Sequence, residues 1–303
     1  MLAVLYAVLA ASSNAVGAVC QRRAALQAPP ETTLRLSLIL DLLRRPIWLA
    51  GFAALVMGFI LQASALSVGD LTLVQPIVTA ELPLTLVIAA AVFRAPLDRD
   101  AWIGVIAVSL GLAVVLFSTN PSGGDGVPDN WAWLWVSIAS VGAGVLLIST
   151  GLKTTGGPRA SLFGAAAGLG FGFTAALMKG SLERIDEEGV GRVFAHWQLY
   201  GMMLMGVASF FMIQNALQAG SLVAAQPPIS VCDPLVSIAY GLLLFGEDLR
   251  TGIWLAPALV GALIIAAGTI ALSRSPLARA ESDQLPEGDR PSSAITGEFG
   301  TQG

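Results

Sequence analysis

Two carboxylates stand where an acid is costly. Glu81 and Asp233 lie inside long apolar runs, Leu71 to Phe93 and Ser221 to Phe245. A bilayer crossing needs roughly 20 apolar residues at about 1.5 Å each, which puts Glu81 near mid-membrane. An acid at that depth binds a cation, carries a proton or pairs with another polar group. Around Asp233 the run is polar along one side. On an ideal helix Gln226, Ser230, Asp233, Ser237 and Tyr240 fall within a sector of roughly 80°, so this face must look into the bundle or a wet cavity. Asp233 is the first candidate for a cation or proton site; the alternative is a buried hydrogen-bond seam with Asp233 neutral.

The first run carries a weaker version of the stripe, made of Thr72, Gln75 and Thr79. Leu82 occupies the position of Asp233, and Glu81 sits about 100° further round. Either the prolines Pro76 and Pro83 re-aim Glu81 or it faces another helix. The second run has its own prolines at 227, 228 and 234. Each removes a backbone donor and frees a carbonyl, so Pro76, Pro83, Pro227 and Pro234 are expected to interrupt their helices beside a site. Polar groups on neighbouring runs lie at matching depth: Gln62, Ser64 and Ser67 before the first, Gln214, Asn215 and Gln218 before the second, with Asn14 near the start of the chain. They could line the same cavity or simply join helices, at about 1 kcal/mol per hydrogen bond.

These matches are not accidental. Gln75-Pro76 returns as Gln226-Pro227, 151 residues later, and Pro83-Leu84 returns as Pro234-Leu235. Ala65-Leu66, Gly69 and Leu71 recur as Ala216-Leu217, Gly220 and Leu222; after a one-residue insertion Phe93, Leu97 and Trp102 recur as Phe245, Leu249 and Trp254. The chain contains an internal duplication.

The elements that must hold these residues follow from composition. Of 303 residues, 55% are hydrophobic and 12% charged, and the mean hydropathy is +0.75. Such a chain is an all-α polytopic transmembrane bundle. The apolar runs predict nine spans: 2–20, 47–67, 71–93, 101–118, 131–150, 161–179, 194–217, 221–245 and 251–273. Residues 1–118 are read as the first transmembrane repeat, 119–130 as an extracytoplasmic linker, 131–273 as the second repeat and 274–303 as a disordered cytoplasmic tail rich in Glu, Asp, Ser, Pro and Gly. Residues 33–43 are too short an apolar run to cross, and read as an interfacial helix anchored by Arg44-Arg45. Gly164, Gly168 and Gly172 form small-xxx-small steps for close helix packing. All seven tryptophans fall in the first residues of a span and read as an interfacial belt.

Lys and Arg on alternate sides number twelve and four. The positive-inside rule then puts the N-terminus outside and the C-terminus in the cytoplasm of a plasma-membrane protein. The duplicated triplets, 47–118 and 194–273, start five spans apart, so the repeats are inverted, a hallmark of secondary transporters.

Other chemistries lack their parts. One histidine, His196, excludes a multi-His zinc site, and no GxSxG or Walker A motif occurs. His196 reads as an interfacial anchor or a pH-responsive group. Cys20 and Cys232 lie in apolar spans and read as small hydrophobes. Cations scattered between apolar runs form no nucleic-acid surface. No enzymatic activity and no cofactor are expected. The expected partners are the lipid bilayer and a small-molecule or cation substrate; a homodimer is compatible with this reading.

The Ala-Leu before a short break, the Pro-centred span, Phe245-Gly246-Glu247 at its end and the final span with Gly104 and Gly111 resemble the drug/metabolite transporter superfamily, EamA-like type. The nine-span pattern with Leu73-Val74-Gln75-Pro76-Ile77 also resembles the NIPA-like magnesium transporter branch. The resemblance implies proton-coupled export of a small metabolite or drug-like solute, or magnesium permeation with Asp233 and Glu81 as oxygen ligands. The chain departs from the superfamily's usual ten spans, and Phe93-Arg94-Ala95-Pro96 lacks the Gly-Glu of the second half. A non-transporting membrane scaffold is the reading from a different class.

Overall fold

A computed structural model describes residues 1–26, 46–93, 97–120, 128–220, 222–250 and 252–274. The interfacial helix expected at 33–43, most of the 119–130 linker and the tail beyond residue 274 lie outside the described residues. What is described is an all-α polytopic bundle of apolar helices. In chain order they are α1 (Leu2–Leu26), α2 (Pro46–Ser67), α3 (Leu71–Val78), α4 (Glu81–Phe93), α5 (Arg99–Thr119), α6 (Asn130–Leu152), α7 (Gly156–Glu188), α8 (Trp197–Ala219), α9 (Leu222–Phe245) and α10 (Leu255–Arg274). Among the described residues, eight segments are long and apolar enough to cross a bilayer, α3 and α4 together counting as one. The ninth expected span, α8, has an apolar stretch of Trp197–Ile213 only. Its 23 residues nonetheless make a helix about 34 Å long.

Helix ends follow local chemistry. Asp98 and Asp129 cap α5 and α6 by accepting from Ala101 N at 3.2 Å and Ala132 N at 2.6 Å. Asn120, at φ 36°, closes α5 in the left-handed conformation that asparagine tolerates. Helix α7 is 33 residues long, so it outruns the 161–179 span and ends in acidic turns beyond it. There Glu188 Oε2 lies 3.2 Å from His196 Nε2.

Packing is built on small residues. A Cβ added at Gly164, Gly168 or Gly172 would sit 2.5, 2.8 or 3.0 Å from the carbonyl oxygens of Ala225, Ile229 and Asp233, so three turns of α7 rest on three turns of α9. Helices α5 and α10 close the same way. Gly104 and Gly111 on one face Gly268 and Gly261 on the other, with an added Cβ 2.7–2.9 Å from the opposing backbone. Gly111→Leu is therefore expected to lower stability by about 1–3 kcal/mol through overpacking, measured as thermal unfolding in detergent.

The two halves repeat their contacts. Helix α1 packs along α2 and α4, and α7 packs along α8 and α9. Helix α6 leans mainly on α7, and it corrects the tryptophan belt. Trp133 is buried, edge-on to Trp197 at 5.5 Å and to Phe245 at 6.2 Å, with Gly180 beneath its ring. Trp102, Trp131, Trp135, Trp197 and Trp254 remain exposed. The start of α6 wedges into the bundle, which spacing along the chain did not reveal.

Candidate functional site

The proline pattern acts differently in the two repeats. In the first, the helix breaks at Thr79-Ala80, where Ala80 N bonds to Ile77 O and Leu82 N to Thr79 O in tight three-residue steps. Pro83 then falls at the third position of α4, where a missing N–H removes no helical bond. Glu81 thus becomes the first residue of a new helix. The break settles its direction: Glu81 is turned into the bundle.

In the second repeat the expected interruption is absent. Helix α9 runs unbroken from Leu222 to Phe245 through Pro227, Pro228 and Pro234. Part of the reason is visible: Pro228 cannot bond to Ala224 O, and Ser161 Oγ of α7 donates to that carbonyl at 2.9 Å. The glycine stripe of α7 braces the same stretch. Ser161→Ala should cost about 1 kcal/mol, read as a small fall in the unfolding temperature in detergent.

Between the halves lies a cavity of about 680 Å³. Its polar wall contains Asn14 from α1, Gln62 from α2, Gln75 from α3, Glu81 from α4, and Gln226 and Asp233 from α9. Thr79, in the break between α3 and α4, and Ser230 complete it. The wall follows the duplication. Gln75 and Gln226, Thr79 and Ser230, Leu82 and Asp233 are repeat-equivalent pairs, and both members of each line the cavity, as do Val78 with Ile229 and Gln62 with Ile213. Charge is where the symmetry fails. Asp233 has Leu82 as its counterpart, and Glu81 has Cys232.

Both acids are held in place. Asn14 Nδ2 donates to Glu81 Oε2 at 3.1 Å, and Gly58 of α2 makes room for the Asn14 amide. Ser237 Oγ donates to Asp233 Oδ1 at 3.4 Å. Ser230 is buried, and its Oγ has no hydrogen-bond partner within the protein. The opposite wall, from α7 and α8, is largely apolar: it includes Phe171, Met178, Met202 and Val207 together with Thr174, whose hydroxyl donates to Gly170 O in its own helix.

Three expected residues do not line the cavity; Ser237 is fully buried and reaches it only through Asp233, and the other two lie further away. Tyr240 is buried beyond the cavity wall, its hydroxyl 2.7 Å from Ser140 Oγ of α6 and its ring 5.5 Å from Phe173. It continues the polar face of α9 as an interhelical link. Asn215 donates back to Phe211 O at 2.7 Å in its own helix. Cys20 and Cys232 are free thiols. Among the described residues no group of three or more His, Cys, Asp or Glu could hold a metal ion.

Glu247 and Lys179 were not singled out by sequence spacing, yet they form a buried, densely hydrogen-bonded polar centre. Glu247 lies just past α9, buried at 2% exposure. Its Oε1 accepts from Leu71 N and from Lys179 Nζ, each at 2.6 Å, and its Oε2 accepts from Thr72 N at 2.8 Å. Lys179 Nζ also lies 4.6 Å from the centre of the Phe245 ring. A carboxylate from the second half therefore caps the first helix turn of α3 in the first half. The sequence signal was the Phe245-Gly246-Glu247 motif at the end of its span, which the first repeat lacks, with Ala95 at the position of Glu247.

The fold and cavity define a multi-span helical membrane protein with a central chamber that has one polar and one largely apolar wall. The chain is 30% identical over 278 residues, 91% of its length, to a Corynebacterium glutamicum protein described as uncharacterized, of which it covers 96%. It belongs to the same family as that protein. No family model matches the chain, and no solved structure matches it significantly.

Proposed function

We propose that the protein is a secondary transporter of the EamA-like drug/metabolite type, which carries a small metabolite or drug-like solute through the central cavity in exchange for protons taken up at Asp233. The observation that carries this reading is a cavity of about 680 Å³ lined by repeat-equivalent residues of both halves. Solute sites of 300–1,000 Å³ with apolar walls and a few convergent polar groups suit organic molecules of modest size. A site between inverted repeats near mid-membrane is what alternating access requires. In this reading the direction is outward, the N-terminus lies outside the plasma membrane and the C-terminus lies in the cytoplasm.

Magnesium permeation is the runner-up. It would use Glu81 and Asp233 with amide oxygens and retained waters, but it leaves the largely apolar wall of α7 and α8 without a role. A scaffold needs no chamber at all. The test is flux in proteoliposomes. With a pH dye inside, members of a solute panel are expected to drive proton movement that empty liposomes lack. With a magnesium-sensitive dye and an inward magnesium gradient, no influx is expected; influx would replace this reading with the permease.

A further inference from the structure

We infer that the cavity takes a single-chain amphiphile with a primary amine head, admitted sideways from the bilayer between α2 and α8. The inference rests on the cavity being the transport site. Its first support is the position of the cavity mouth. Phe59, Met203 and Val207 line the cavity and are 48%, 60% and 70% exposed, so among the described residues the cavity opens at this edge. Phe59 lies about 20 Å along α2 and Val207 about 15 Å along α8. Both depths fall within a hydrocarbon layer roughly 30 Å thick. A molecule reaching this mouth is already dissolved in lipid, which selects for an apolar chain.

The second support is the chemistry behind the mouth. The described cavity wall holds two carboxylates and no Lys, Arg or His, so it repels an anionic head and favours a cationic one. Lys179, close by on α7, is engaged by Glu247. A primary ammonium carries three N–H donors. Acceptors for them are the carboxylate oxygens of Glu81 and Asp233 beyond those held by Asn14 and Ser237, and Ser230 Oγ. Ser230 is only 4% exposed and its Oγ, without a partner within the protein, lies beneath the cavity surface, so it accepts only after a side-chain rotation. The same cavity is lined by Met178, Met202 and Phe171, apolar surfaces that suit a flexible chain.

The test uses the full-length protein in lipid nanodiscs and a dodecylamine bearing a nitroxide at its terminal carbon. Electron spin resonance is expected to show an immobilised component that unlabelled dodecylamine displaces and ethylamine, at equal concentration, does not. Glu81→Gln and Asp233→Asn, each eluting as a single folded species, should weaken binding at least about tenfold, as expected for loss of a charge-assisted hydrogen bond. Gly206→Trp should block the mouth, since a side chain there meets only Thr174, at 3.8 Å. A nitroxide dodecanoate immobilised as strongly as the amine would overturn the head-group assignment. Displacement by ethylamine would overturn entry from the bilayer; both results leave the transport reading standing. If no displaceable signal appears, the inference fails. Should the same preparation also show no solute-linked proton flux, the transport reading fails with it.

Discussion

Glu247→Ala is expected to destabilise the protein by about 3–5 kcal/mol, the range measured when one partner of a buried ion pair is removed. The substitution strands three donors at once. Lys179, whose side chain is only 6% exposed, loses its counter-charge, and the N–H groups of Leu71 and Thr72 lose their acceptor. Unlike the surface pairs of Arg184 with Glu187 and Glu188, which water and salt screen, this contact has no solvent to fall back on. Its loss also unties α3 from the end of α9 and from α7. Thermal unfolding in detergent measures the effect. A double variant, Lys179→Met with Glu247→Gln, should recover much of the stability, because Gln still offers one acceptor and Met fills the place of Lys without a charge. A double variant no more stable than Glu247→Ala would show that the two residues are not energetically coupled.

Asp233→Asn is expected to reduce solute-linked proton flux in proteoliposomes to the level of protein-free liposomes while leaving the fold within about 1 kcal/mol of wild type. Asparagine keeps the size of the side chain and can still accept from Ser237 through its carbonyl oxygen. It cannot give up or take a proton. Glu81→Gln removes the other acid of the same cavity and keeps an acceptor for Asn14. A partial loss is expected there, since Asp233 continues the polar face of α9 formed by Gln226 and Ser230, whereas Glu81 stands alone at the start of α4. Undiminished proton flux in Asp233→Asn would remove that residue from the coupling step. The comparison is informative because both variants are near-isosteric and both side chains have an identified partner in the fold.

Much of the architecture was legible in the chain itself. Long apolar runs dictate helices in a bilayer, because every backbone polar group must be satisfied within its own segment. The duplication then placed Gln75, Thr79, Gln226, Ser230 and Asp233 at matching depth, and all five line one cavity. Helical periodicity also gave Gly164, Gly168 and Gly172 a common face, the face that meets α9.

Tertiary structure decided the rest. Prolines in both repeats suggested interruptions in both, but packing can hold a proline-containing helix together; Ser161 satisfies the Ala224 carbonyl freed by Pro228, and α9 stays whole. The direction of Glu81 depended on a two-residue break whose angle no periodicity encodes. Tyr240 shares the polar face of Asp233 but meets Ser140 instead of the cavity, because α6 covers that end of α9. Asn215 turned back on its own helix. The Glu247–Lys179 centre joins residues 68 positions apart to the start of α3, a further 176 positions from Glu247. Local sequence carries no trace of such a meeting: a lone glutamate after a helix and a lone lysine near the end of another become a site only when packing removes the water between them.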